Sequence, residues 1–286
     1  MTNAIEVKHV NKAFKTFALK DVSITVPRGT VMGFVGENGA GKSTTIKAIL
    51  NLIFKDSGEI AVLGKEVADK DSVLKEKIGV VLDESFFHET LTAKQVSLIM
   101  KNIYTQWNEE AFFSYIERFE LPKTQIVKEY SRGMKMKLSI AVALSHGAEL
   151  LVLDEATSGL DPIIRNQILD IFLEFMQDEN HSIFISSHIT SDLEKICDYI
   201  TFIHKGEIVF TESKDDLHDN YGIAKCEKEK LETLNKEAVV AYKENMFGCE
   251  LLVKDRTAFE AENPGILVEN ANIEEVMLYY VEGKRV

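Results

Sequence analysis

The chain has 286 residues, 45% hydrophobic and 28% charged, enough for one sizeable α/β domain and a small appendage. Lysine and arginine number 33 against 46 aspartates and glutamates, and the net charge of −13 argues against a nucleic-acid partner. No stretch approaches the roughly 18 consecutive apolar residues that span a bilayer, and the first ten residues lack a charged-then-apolar signal pattern, which predicts a cytoplasmic protein.

Alternating polarity at Ile5–Val10 and Val22–Val26 predicts strands of an antiparallel, half-exposed sheet. Val31–Val35 is apolar on both faces, as a buried central strand is, and Gly36 ends it. A helix is predicted from about Lys42 to Leu52, then strands at Gly58–Leu63 and Ile78–Leu82. Between Leu91 and Ser145 the pattern turns helical, clearest at Trp107–Glu120. Buried-strand runs return at Leu150–Leu153 and Ser182–Ser186, flanking a helix that Pro162 opens and that runs to about Met176. Strands alternating with helices predict a mainly parallel sheet covered on both faces.

Beyond Gly222 the character changes, with a charged helix expected over Lys225–Lys236, short strands at Val239–Tyr242 and Leu251–Lys254, and a helix at Ile273–Val281. The expected division is 1–220, with a helical lobe at about 87–146, and a small α/β unit at 221–286. Cys197, Cys226 and Cys249 have no metal-ligand spacing, which predicts a reducing compartment and no structural disulfide.

Two segments carry chemistry. Gly36-Glu37-Asn38-Gly39-Ala40-Gly41-Lys42-Ser43 fits G-x-x-x-x-G-K-[ST] between a buried strand and a helix, the setting that makes the motif meaningful. Its backbone N–H groups and helix dipole suit phosphate oxygens. Lys42 would neutralise the β- and γ-phosphates, Ser43 would ligate Mg²⁺, and Thr44 would add a phosphate contact. Leu150–Leu153 then ends in Asp154-Glu155. Asp154 suits a water-mediated Mg²⁺ site, and Glu155, one residue on, suits a general base for an attacking water.

Residues outside these two segments resemble the ATP-binding-cassette (ABC) ATPases. Ala156-Thr157-Ser158-Gly159-Leu160-Asp161-Pro162 is similar to their E-P-T-x-G-L-D-P segment, with Ser158, Gly159, Leu160 and Asp161 as the D-loop. Tyr130-Ser131-Arg132-Gly133-Met134-Lys135 resembles their signature in the Y-S-x-G-M-K form of ABC-2-type exporters, and Ile185-Ser186-Ser187-His188 resembles their switch histidine. The resemblance covers about residues 4–217. It implies a P-loop cassette with an antiparallel β-subdomain and an inserted helical lobe, an ATPase using ATP and Mg²⁺ and driving transport. Ser131, Arg132, Gly133 and Met134 would contact ATP held by a second cassette, either another copy or a paralogue. His188 would contact the γ-phosphate, and Glu155, His188 and Lys42 would be catalytic. For the adenine, the family uses an aromatic residue after the first strand; Phe14 is the first choice and Phe17 the second, and either also fits the core.

Three positions depart from the family pattern. Asp83-Glu84 stands where the Q-loop glutamine is expected, leaving Asp83 a shorter-reaching, fully charged candidate for Mg²⁺ or its water. Arg132 replaces a signature glycine and faces either ATP across the interface or a neighbouring acid. Ala156 replaces a proline.

The resemblance also implies an integral membrane permease as partner, gripped by the segment between Asp83 and Tyr130, where Phe86, Phe87 and Leu91 are the apolar candidates. The cassette would then lie on the inner face of the membrane. Export of a peptide, antibiotic or lipid-like cargo is the leading expectation. Import, a non-hydrolysing nucleotide-gated regulator and a soluble ribosome- or DNA-acting ATPase are the alternatives.

Overall fold

The computed structural model describes residues 3–67, 71–83, 87–231 and 234–285, which fall into two compact units. The first comprises 1–197 with 203–208, and the second 198–202 with 209–286. The hairpin of β9 (Tyr199–His204) and β10 (Glu207–Ser213) is divided between them.

In the first unit, β1 (Asn3–Ala13), β2 (Ala18–Pro27), β4 (Ser57–Val62) and β5 (Lys65–Glu66) form an antiparallel sheet in the order β2-β1-β4-β5. Its alternation is the signature of one buried face, with Ile5, Val7, Val22, Ile24 and Val26 all inside. The second layer is parallel. β3 (Val31–Val35) pairs with β8 (Ser182–Ser187), β8 with β7 (Leu150–Asp154), and β7 with β6 (Ile78–Val81). Every residue of β3, β7 and β8 is buried, so their apolar residues run together rather than alternating, with Asp154 ending β7 and serines at both ends of β8.

The helices are α1 (Lys42–Ile49), α2 (Ser72–Glu76), α3 (Ala93–Ile103), α4 (Glu109–Arg118), α5 (Arg132–Ala143), α6 (Pro162–Phe175) and α7 (Thr190–Ile196). Helices α3 to α5 make the lobe. Thr92 and Gln95 form a capping box at the start of α3, and Asn108 and Ser131 cap α4 and α5. Phe112 and Ile116, four apart, are fully buried on one face of α4, while α5 is buried nearly all round over Leu138, Ile140, Ala141 and Ala143. No helix among the described residues is long and apolar enough to cross a membrane.

The second unit also contains α8 (Lys214–Asn220), β11 (Tyr221–Cys226), α9 (Lys228–Leu231), β12 (Val239–Asn245), β13 (Gly248–Lys254), α10 (Arg256–Glu262), β14 (Leu267–Asn270) and α11 (Ile273–Glu282). Its antiparallel sheet runs β12-β13-β11-β14 around a core of Ala224, Leu251, Val253 and Phe259. The helix expected over Lys225–Lys236 is not formed as such. Lys225 and Cys226 end the inner strand β11, which pairs with β13 on one side and β14 on the other, and among the described residues of this segment only the four of α9 are α-helical. Ladder bonds on both edges outweigh the helix preference of a charged run.

Candidate functional site

The parallel order β3-β8-β7 decides what meets what. The loops leaving the C-terminal ends of these three strands carry Lys42, His188 and Glu155 respectively, and adjacent strands deliver them to one cleft of about 600 Å³. Its lining also includes Phe17, Asn38, Ser43, Asp83 and Ser158.

The loop from Gly36 to Gly41 is built around two glycines. At Gly36 an added Cβ would stand 2.4 Å from the Ile203 carbonyl oxygen. Gly41 has φ +117, and its Cβ would lie 2.8 Å from Leu19 and 2.9 Å from Phe17. Only glycine fits both the left-handed backbone and the crowding. The loop thereby turns its backbone into the N-terminus of α1, where helix N–H groups have no intrahelical partner.

Lys42 is 6% exposed, and its ammonium donates to the carbonyls of Gly36 (2.7 Å) and Glu37 (3.4 Å). It also lies 3.4 Å from Glu155 Oε1. The other Glu155 oxygen accepts from His188 Nδ1 at 2.6 Å; an ionised carboxylate can only accept, so Nδ1 carries the proton. Lysine, glutamate and histidine are thus linked through one carboxylate. Glu155 itself has φ +53, an uncommon conformation for a residue with a side chain, held by its N–H donating to the Ser186 carbonyl and hydroxyl, both at 3.1 Å. Asp154 is buried and accepts the Ser186 hydroxyl at 2.6 Å, so Ser186 fixes both acids.

Other expected residues fall at different distances from this centre. Glu37, Asn38, Gly39, Gly41, Ser43 and Thr44 line the cleft; Gly36 and Ala40 support it from inside the loop. Phe14 does not line it. That ring is 48% exposed with the Lys12 ammonium 5.7 Å from its centre, and the aromatic wall is Phe17. Phe14 N–H donates to the Phe17 carbonyl at 2.7 Å, a tight turn that sends the two rings different ways. Thr16 lines the cleft and His204 Nδ1 lies 2.9 Å from Glu37 Oε1; sequence reasoning misses both, because neither belongs to a motif.

Ser131, Arg132, Gly133 and Met134 lie outside the lining, at the start of α5, where the Ser131 hydroxyl accepts from Met134 N–H at 3.2 Å. Asp83 lines the cleft and pairs with the Arg132 guanidinium, so Arg132 faces a neighbouring acid. Ser158 lines the cleft, Leu160 closes on Gly133, and Asp161 caps α6 by accepting from Ile163 and Ile164. Phe86 and Glu84 lie outside the described residues; Phe87 and Leu91 are half-buried. An apolar groove of about 410 Å³ lies elsewhere on the first unit, between Leu50, Leu52, Leu74, Val80, Leu82 and Tyr104.

Among the described residues no group of three or more His, Cys, Asp or Glu side chains is placed to hold a metal ion. A cation here would have to bring most of its oxygen ligands with it, which fits Mg²⁺ carried on nucleotide phosphates and not a resident metal.

A family model described as "ABC transporter" matches residues 19–158. The bacitracin transport ATP-binding protein BcrA of Bacillus licheniformis is 35% identical over 212 residues, 73% of this chain and 69% of that protein. The lantibiotic transport ATP-binding protein SrtF of Streptococcus pyogenes is 33% identical over 214 residues, 74% of this chain and 91% of that protein. A solved ATP-binding subunit of an ABC transporter superposes with a TM-score of 0.69 at 27% identity, over 76% of this chain and 92% of that one.

Proposed function

The chain belongs to the ABC transporter ATP-binding family, and from that premise we propose that it is the motor of a bacterial exporter that drives a separate membrane-spanning permease. The observation that carries the ATPase part of this reading is the Lys42–Glu155–His188 chain of contacts inside the phosphate-loop cleft, and relatives named for transport support the rest.

ATP enters with its triphosphate along the loop Gly36–Gly41 and its adenine against Phe17. Lys42 exchanges its carbonyl partners for β- and γ-phosphate oxygens, gaining charge-assisted bonds. Ser43 and, through water, Asp154 would hold Mg²⁺, which when bound would neutralise charge on the phosphates, while Asp83 is committed to Arg132. Glu155 takes a proton from the water whose oxygen attacks the γ-phosphorus as the bond to the β–γ bridging oxygen breaks. His188 braces Glu155 and the transferring group.

The start of α5 does not line the cleft, which supports a site that one chain leaves incomplete. We assign the other side to Ser131, Gly133 and Met134 of a second cassette, whose helix N-terminus offers a hydroxyl, backbone N–H groups and a dipole to the γ-phosphate. A second copy is the simplest partner, because this chain supplies Lys42, Glu155 and His188 as well as Ser131, and two copies therefore make two competent sites. The groove around Leu52 and Tyr104 is the apolar surface best suited to a cytoplasmic helix of the permease.

Relatives named for bacitracin and lantibiotic transport support a membrane-active peptide as cargo. Deleting the gene is expected to make its host more sensitive to bacitracin or to a lantibiotic. The wild-type gene should restore resistance, and a Glu155→Gln gene should not. Unchanged sensitivity to both classes would remove the peptide-export reading.

A further inference from the structure

We propose that Arg132 is a positioning residue that neutralises Asp83, and that Asp83 is tolerated in the nucleotide cleft only because Arg132 holds it.

Asp83 follows β6 and lines the cleft beside Lys42, Glu155 and His188. An unpaired carboxylate at that place repels an incoming triphosphate, and the cleft already contains Glu37 and Glu155, with Asp154 buried next to Glu155 in the chain. Lys42, which also lines the cleft, is engaged by Glu155 and two carbonyls. The charge on Asp83 is answered from outside, by the guanidinium of Arg132 on the first turn of α5.

The same guanidinium lies against a second loop. A Cβ added to Gly159 would stand 3.5 Å from an Arg132 terminal nitrogen, an ordinary packing distance, so the guanidinium lies directly against this loop. Arg132 therefore spans the loops that leave β6 and β7, while Gly133 beside it receives Leu160. The two departures from the family pattern noted in the sequence, 49 positions apart, form one device.

The pair is roughly half exposed on both sides, at 58% and 49%, so as a fold-stabilising bridge it is worth little. Its effect should fall on nucleotide binding. This inference rests on the reading of the cleft as the ATP site, and the test separates the two.

Calorimetric titration with MgATP is made in the Glu155→Gln background, which prevents turnover, on four proteins: the parent, Arg132→Ala, Asp83→Gln and the double variant. Arg132→Ala is expected to weaken binding roughly tenfold, the scale of one unpaired like charge near the phosphates. Asp83→Gln should bind at least as well as the parent, and the double variant should return to within about twofold of Asp83→Gln, because the charge that Arg132 offsets is gone. The loss in Arg132→Ala should shrink with added salt, and the melting temperatures without nucleotide should coincide. If Arg132→Ala costs the same whether or not Asp83→Gln is also present, the proposal is overturned, since Arg132 would then act on nucleotide directly. No loss at all would overturn it too. Lys42→Ala serves as the control: if it binds MgATP like the parent, the cleft reading itself fails, whereas lost binding there with additive effects at Asp83 and Arg132 refutes only this inference.

Discussion

Replacing Glu155 by glutamine is expected to lower kcat for ATP hydrolysis by roughly 10²–10⁴-fold, the range a positioned general base supplies. The amide keeps the shape and still accepts from His188 Nδ1, but it has no basic oxygen to take the proton from water. It also leaves Lys42 without its anionic neighbour, 3.4 Å away, in a cleft where that lysine is needed for phosphate. ATP affinity should therefore hold or improve while turnover collapses, and a steady-state phosphate-release assay beside a binding titration measures both. A variant that hydrolyses ATP at the parental rate would remove Glu155 from the chemistry.

The second large effect is on affinity. Lys42→Ala removes a buried cation whose proposed bonds to phosphate oxygens would be charge-assisted, each worth about 1.5–3 kcal/mol. Two such bonds correspond to a loss of roughly 10²–10⁴ in affinity. Removing the lysine also leaves Glu155 without that cation, which adds repulsion against the triphosphate. The readout is the rise in melting temperature that saturating MgATP gives. A ligand at about a hundred times its Kd stabilises by about 2.7 kcal/mol, and at the same nucleotide concentration the variant should keep at most about 0.4 kcal/mol of it. An undiminished shift would place the nucleotide elsewhere.

The phosphate loop and the Asp154-Glu155 strand end are readable in the sequence because each is short and its backbone context, buried strand then turn, is local. The meeting of His188 with Glu155 across 33 positions depends on β8 lying between β3 and β7, which only the pairing of the strands determines. The resemblance to a family stands in for that missing geometry. The resemblance puts Phe14 ahead of Phe17 but says nothing of which ring the turn between them aims at the cleft, and Phe17 is the one that lines it. Asp83 and Arg132 read as two separate irregularities, since nothing in a linear pattern announces a contact between a loop and a helix start 49 positions away.

In the second unit, Tyr221–Cys226 does not read as a strand because Gly222 looks like a boundary. The structure uses Gly222 inside the ladder, where an added Cβ would stand 2.6 Å from Val268. A glycine that permits close approach looks the same in sequence as one that ends an element. The terminal helix, by contrast, announces itself by apolar spacing, and Asn272 with Glu275 forms its capping box.

Sedimentation velocity of the Glu155→Gln chain, with and without MgATP, bears most directly on the picture of two cassettes closing over nucleotide. A one-chain species is expected without nucleotide and a two-chain species at saturation, with Lys42→Ala added in the same chain returning it to one. A two-chain boundary that forms only with MgATP would tie assembly to the cleft; a one-chain boundary that persists at saturating MgATP would contradict it.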